Sequence, residues 1–232
     1  MIKDLEKYEH IQRIARNTID YLRKNIRSGL TEKEIVAMAE EHMNRHGIVN
    51  FWYYGVGAFV LVGKRTIISV SGKEYVPTDT KVQNSDIVTI DLSPEEDGFW
   101  GDFARTITVE NGKVVGEESR NQGFHNGWAT ENDLHLKFMK EVRPEMSFDE
   151  VYNLFNEEIT KKGYENLDFN KNLGHTIEKR KEDRLYFKKG EKTLLKDVNL
   201  FTFEPHIRKL RGKYGFKKEN IYYFDGGKMK SL

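Results

Sequence analysis

At 232 residues the chain can bury a sizeable core, as one large domain or as two fused halves. Its 38 lysines and arginines balance 37 acids to a net charge of +1, which gives no electrostatic reason to expect nucleic acid or an anionic membrane as a partner. The absence of cysteine excludes disulfides, cysteine-ligated zinc and thiol nucleophiles, and no apolar run reaches membrane-spanning length, so a cytoplasmic protein is expected. The charged segment Met1 to Lys7 has no apolar stretch of the signal-peptide kind.

Residues 3–26 place Leu5, Tyr8, Ile11, Ile14, Thr18, Leu22 and Ile26 three to four apart, which predicts an amphipathic helix with Gly29 as its stop. Thr31-Glu-Lys-Glu34 has the form of a capping box, opening a second helix that runs to about Arg45 and closes at Gly47. Residues 48–72 mix apolar, aromatic and glycine positions and predict strands with turns. Phe51-Trp-Tyr-Tyr54 reads as core or interface rather than as the wall of a substrate site. The apolar run Ile87 to Leu92 is interrupted by Asp91, a turn is expected at Ser93 to Gly98, and a returning strand carries Asp102 before ending at Glu110-Asn-Gly112. Such a hairpin brings two carboxylates to one point, where they repel unless a proton or a cation neutralises them.

Residues 117–141 predict a helix with Phe124, Trp128, Leu136 and Met139 on its inner side. Ser147-Phe-Asp-Glu150 is a second capping box, opening a helix that Gly163 closes. Strand and loop follow around Gly174-His175, from Val198 to Phe203 and from Tyr214 to Phe224. His10, His42, His46, His125 and His135 lie in helical patterns beside charged or polar residues and read as solvated. Lys179-Arg-Lys181 and Lys228-Met-Lys230 read as solvated surface.

Residues 26–48 and 142–164 align without a gap at an offset of 116, half the chain. Arg27, Glu34, Glu41 and Gly47 match Arg143, Glu150, Glu157 and Gly163, and the apolar positions match as well. Two further echoes keep the same order: Asp86 to Asp91 with Asp197 to Glu204, and Gly98-Phe-Trp-Gly-Asp102 with Gly215-Phe-Lys-Lys-Glu219. The expectation is a single domain over 1–232, made of halves at roughly 1–116 and 117–232 related by a pseudo-twofold axis on which the equivalent acids converge. Those acids are Asp91, Asp102, Glu204 and Glu219. Gathered in one pocket they require cations, and an oxygen-rich site with one or two imidazoles suits divalent Mn, Co, Fe or Zn. His175, preceded by a glycine that permits close approach, is the candidate imidazole, and His206 follows Glu204 by two residues on the same strand face.

These residues resemble metallopeptidase family M24, the methionine aminopeptidases, Xaa-Pro aminopeptidases and prolidases of the pita-bread fold. The matching motifs are Asp86-Ile-Val-Thr-Ile-Asp91 with Asp97-Gly-Phe-Trp-Gly-Asp102-Phe-Ala-Arg-Thr106, then Gly174-His175, Phe201-Thr-Phe-Glu-Pro205 and Gly215-Phe-Lys-Lys-Glu219. The resemblance spans essentially the whole chain and looks like the short, single-domain branch. It implies an α/β (α+β) pita-bread fold, with curved antiparallel sheets inside and helices outside. It also implies a dinuclear metal centre with Asp91 as chelator, Asp102 and Glu219 as bridges, and His175 and Glu204 as terminal ligands. A water bridging the two ions would attack the substrate carbonyl, with Glu204 carrying the proton to the leaving amine and His206 as a second catalytic candidate.

The expected activity is that of an aminopeptidase or Xaa-Pro dipeptidase. The substrate is then a small peptide or small-molecule amide, and a homodimer is an assembly the sequence leaves open. Family peptidases carry two further histidines that meet the substrate, where this chain has Ser71-Gly-Lys73-Glu74 and Glu182. Lys73, Glu182 or His206 are the residues available to replace them. The alternatives are a metal centre acting on a specialised small molecule, hydrolytically or oxidatively, and a non-catalytic binding module of the same fold.

Overall fold

The computed structural model describes residues 2–116 and 119–232. Helix α1 (Leu5–Asn25) turns Tyr8, Ile11, Ile14, Ile19 and Leu22 inward and ends earlier than Gly29. Its last carbonyls are capped when the Ile26 N–H bonds Leu22 O, and Arg27 and Ser28 then pair with the turn at Gly112–Lys113, so Gly29 (φ 94°) serves the following loop. Helix α2 (Glu32–Arg45) opens on the expected box: Thr31 Oγ1 accepts from Glu34 N at 3.2 Å, and Glu34 Oε2 accepts from Thr31 N at 2.7 Å. Helix α3 (Gln122–Glu141) and helix α4 (Phe148–Lys161) follow in the second half. The box at Ser147 has the same geometry, with distances of 3.2 and 2.7 Å to Glu150. Residues 117 and 118, where the third helix was expected to begin, lie outside the described residues.

The inner face of α3 differs from the expectation. It buries Phe124, Gly127, Glu131, Leu134, His135 and Phe138, and leaves Leu136 and Met139 66% and 42% exposed. Gly127 sets this rotation, because the Phe216 ring lies where its Cβ would be, 2.3 Å from Cζ. The turn also carries His135 inward, where it meets Tyr222 Oη at 2.7 Å and the Lys218 carbonyl at 3.0 Å, so this histidine is a satisfied core residue and not a solvated one.

The strands are β1 (Asn50–Phe51), β2 (Ala58–Val62), β3 (Asp86–Leu92), β4 (Pro94–Glu96), β5 (Phe99–Trp100), β6 (Phe103–Glu110) and β7 (Lys113–Val114) in the first half. The second half contributes β8 (Tyr164–Asn166), β9 (Phe201–Phe203), β10 (His206–Lys209), β11 (Gly215–Lys217), β12 (Asn220–Asp225) and β13 (Lys228–Ser231). All pairings among them are antiparallel, in sheets ordered β2-β3-β6-β7, β1-β4-β5, β11-β10-β8 and β13-β12-β9. Strands β3 and β6 pair through seven residues, setting Asp91 opposite Ala104 and Leu92 opposite Phe103. The expected turn at 93–98 is itself a small hairpin, β4 and β5, which pairs back onto β1.

Two apolar clusters fill the interior. One packs α1 and α2 on β2, β3 and β6; the other gathers Phe138, Phe148, Phe155, Phe187, Phe201 and Phe203 under α3 and α4. Phe138 stacks on Phe203 at 4.1 Å, and such pairs add about 0.5–1.5 kcal/mol beyond area burial. Among the described residues no helix is long and apolar enough to cross a membrane.

Between the clusters and the loops, Glu32 acts as a fully buried tie. Its carboxylate accepts from Val62 N (3.0 Å), Arg65 Nε (2.8 Å), and both Thr78 N (2.8 Å) and Thr78 Oγ1 (2.7 Å). Replacing it by Ala leaves a buried strand N–H and a guanidinium without an acceptor, so Glu32→Ala is expected to lose about 2–4 kcal/mol in chemical denaturation. Ser147→Ala, which removes one helix cap, should cost only about 1 kcal/mol.

Candidate metal centre

Each of the five expected ligand residues reaches its place through the strand framework. Asp91 is the second-last residue of β3 and Asp102 immediately precedes β6; given the pairing of Leu92 with Phe103, the two lie diagonally on one face of the hairpin. The backbone of Asp102 is fixed by Gln12 of α1, whose Nε2 donates to Asp102 O at 2.6 Å and whose Oε1 accepts from Asp102 N at 3.0 Å. His175 and Glu204 are set side by side by the pairing of residues 173–175 along β9, with Thr202 N bonding His175 O (2.7 Å) and Glu204 N bonding Leu173 O (2.9 Å). Gly174 makes that approach feasible: it sits at φ 141°, and a Cβ there would lie 2.4 Å from the Thr202 carbonyl. Glu219 joins β11 to β12, and its N–H bonds Ala104 O at 3.0 Å, which ties the second half to β6 beside Asp102.

Asp102, His175 and Glu219 each offer one ligand atom within 4.8 Å of the others, and all three side chains are buried. His175 Nε2 stands 3.5 Å from Asp102 Oδ2 and 3.6 Å from Glu204 Oε1. Its Nδ1 is 3.0 Å from the Thr176 carbonyl. A carbonyl only accepts, so Nδ1 carries the hydrogen and Nε2 presents its lone pair to the carboxylates, as a metal-binding imidazole would. Glu219 is fully buried and neither of its oxygens receives a hydrogen bond from the described residues. An orphaned carboxylate beside a second carboxylate and an aimed imidazole fits a divalent cation.

The electrostatics agree with a site short of positive charge. Burial, then the charges of Asp91 and Glu204, push the Asp102 carboxyl well above the usual carboxylate range. Burial, then Asp102 and Glu204, do the same to Glu219. Asp91 is raised by burial against the pull of Lys217. Glu204 moves the other way: burial would raise it, but Lys217 and His175 outweigh that and hold it below its ordinary value. Burial takes His175 down to about 4 in spite of Glu204, so the ring is neutral near physiological pH.

The cavity above these residues has a volume of 640 Å³. Trp52, Tyr53, Phe59 and Tyr186 form apolar walls, so the aromatic run at 51–54 serves both core and cavity. Arg184, Lys188 and Lys189 form a basic side. The substitutes expected for the family histidines are not brought here. Lys73 lies over the Tyr54 ring at 5.2 Å, and Glu182 is exposed on the short 3₁₀ turn Lys181–Asp183. His206 does not line the cavity; its Nε2 donates to the Thr66 carbonyl at 2.7 Å, which turns the ring under β11 instead. Arg184 does stand beside the candidate ligands, 3.5 Å from His175 Nε2 and over the rings of Trp52 and Tyr186. Arg105 Nη1 donates to Glu219 O at 2.6 Å, and Thr106 Oγ1 accepts from Lys217 N at 2.8 Å, so both fix the strand that carries the last acid.

Sequence reasoning missed three participants. Gln12 is a polar residue on the buried stripe of α1, between Ile11 and Ile14, and that misplacement was its signal. Lys217 precedes Glu219 by two residues and therefore shares its strand face. Arg184 lies two residues past the position considered for the missing histidine.

Helix-backed antiparallel sheets that bring four acids and one histidine to a common seam form the pita-bread fold. The chain belongs to this fold's metallopeptidase family M24, whose profile matches residues 6–225. It is 24% identical over 221 residues to a methionine aminopeptidase of Helicobacter pylori, covering 91% of this chain and 82% of that one. It is also 24% identical over 183 residues to a Xaa-Pro dipeptidase of Lactobacillus helveticus, covering 78% and 45%. Among solved structures it superposes on the prolidase of Pyrococcus furiosus with a TM-score of 0.82 at 21% identity, and on an X-Pro aminopeptidase from Thermotoga maritima with 0.80 at 21%. All of this chain is covered in both superpositions, but it spans only 64% and 62% of those longer chains.

A metal ion at this site would compete with protons for Asp102 and Glu219, whose carboxyls burial and neighbouring acids raise well above the ordinary range. Affinity for Mn²⁺ is therefore expected to rise with pH above the ordinary carboxylate range. Titration calorimetry in two buffers of different ionisation enthalpy should report net proton release, and His175, lowered to about 4, adds nothing near neutral pH. A pH-independent affinity with no released proton would contradict the assignment.

Proposed function

We propose that the protein is a divalent-metal-dependent hydrolase of small peptides, of the aminopeptidase or Xaa-Pro dipeptidase kind. The convergence of Asp91, Asp102, His175 and Glu204 on one cavity carries this reading, with Glu219 buried behind them, close to Asp102 and His175, and without a hydrogen-bond donor among the described residues. The oxygen-rich set with a single imidazole suits Mn, Co, Fe or Zn. A bound ion would polarise the scissile carbonyl and acidify the attacking water toward neutral pH. Glu204, held below its ordinary pKa and partly open to the cavity, is the residue that would accept a proton from the attacking water and pass it to the leaving amine. Gln12 and Arg105 keep the backbones of Asp102 and Glu219 in place while this occurs.

The basic side of the cavity supports the dipeptidase form of the activity. A free dipeptide ends in a carboxylate close to its scissile bond, and Arg184, Lys188 and Lys189 provide cations for it above the aromatic walls. The same side accommodates other small anionic amides, the specialised-substrate reading, which a panel of acylated amino acids would reveal.

Asp102→Ala and Glu219→Ala should abolish tight metal binding and lower kcat/KM by at least about 100-fold, beyond the usual cost of losing an outer-shell partner. Arg184→Ala should raise KM for free dipeptides by about 10-fold or more, the worth of a charge-assisted hydrogen bond, and leave C-terminally amidated dipeptides unaffected. Equal losses on free and amidated substrates would remove the carboxylate role from Arg184. Full peptidase activity in either acid variant would remove the metal reading.

A further inference from the structure

The four acids do not stand alone, because the chain supplies a cation of its own. Lys217 Nζ lies 2.5 Å from Asp91 Oδ2, 3.1 Å from Glu204 Oε2 and 3.9 Å from Glu219 Oε2, and its side chain is only 17% exposed. The placement follows from the strand. Lys217 and Glu219 point the same way, and Thr106 Oγ1 grips both the N–H and the carbonyl of Lys217, at 2.8 and 3.1 Å. The five candidate ligands therefore divide into two groups. Asp91 and Glu204 make the closest contacts to the ammonium, which reaches Glu219 only at 3.9 Å, while Asp102, His175 and Glu219 form the one group of three mutually close ligands among the described residues.

We propose that this centre takes a single divalent ion, at Asp102, His175 and Glu219, and that Lys217 stands on Asp91 and Glu204 in place of a second ion. The inference rests on the metal-dependent reading above. It departs from the pair of ions that the sequence resemblance implies. Four carboxylates carry a charge of about −4, and one dication with one ammonium brings that to about −1. A second dication would have to displace a clamped ammonium from both of its partners or sit against it at contact distance, with like-charge repulsion in a partly desolvated site. The ammonium also leaves a hydrogen-bond donor fixed on the cavity floor, where a second ion would offer only an open coordination position.

The full-length protein, stripped with chelator, is titrated with Mn²⁺, and bound metal per chain is measured by elemental analysis after gel filtration and by calorimetry. The wild type should bind one ion and show the electron paramagnetic resonance hyperfine pattern of an isolated Mn²⁺. Lys217→Met should bind two, with an exchange-coupled spectrum, and Lys217→Arg should stay at one. Lys217→Gln serves as a second neutral variant, with near-ultraviolet circular dichroism to verify folding. Two ions of similar affinity in the wild type, or one ion in folded Lys217→Met and Lys217→Gln, would overturn the role of Lys217 while leaving metal dependence standing. No binding in any variant would overturn both.

Discussion

Mutual repulsion among carboxylates is the constraint around which this molecule is built. Asp91, Asp102, Glu204 and Glu219 come from four different strand ends, and left to themselves they would drive those ends apart. Neutral backbone ties oppose that tendency, so the framework does not depend on the charges it holds. Glu219 is pinned through its N–H to Ala104, and Asp102 through both peptide groups to Gln12. His175 and Glu204 are pinned along β9, where only a glycine at 174 lets the chains meet. Placing charge on hydrogen-bonded backbone in this way keeps the site preformed, at the expense of stability in the absence of a cation.

Much of the fold was legible because it rests on local chemistry. The capping boxes at Thr31 and Ser147 announce themselves in four residues each, and both form as expected with matching distances. The apolar run up to Asp91 and the strand-like run after Asp102, with a turn between them, are conspicuous enough to read as paired strands. The face of α3 was misread because Leu136 and Met139 look like core residues, whereas the rotation is decided by Gly127 against Phe216, a contact 89 positions away in sequence. His135 was misread for the same reason, since only tertiary packing shows that Tyr222 and Lys218 satisfy it.

The candidate site was legible in its acids and not in its cations. Carboxylates at strand ends are conspicuous next to apolar runs, but a lysine or an arginine near them resembles ordinary surface. Lys217 and Arg184 were passed over although both lie within two residues of positions already under consideration. Long side chains decide their own destination by reach and partner, so their role emerges only when the strands are assembled. The glycines were the more dependable guide: Gly174 indicated close packing, and Gly215 does so as well, with the Thr66 carbonyl 2.1 Å from where its Cβ would lie.

Gln12 has a further significance. At Asp102 the chain passes from β5 to β6 and has no strand partner for its peptide group, so the side-chain amide of Gln12 stands in for one, with both a donor and an acceptor in register. Helix α1 thereby acts as a one-residue edge strand as well as a packing layer. Neither Glu, which lacks the donor, nor Leu, which lacks both groups, could complete that pairing. The position of a cavity-floor carboxylate is thus indexed to the axial register of the N-terminal helix, which at 1.5 Å per residue sets a fine mechanical tolerance between the outer shell and the seam.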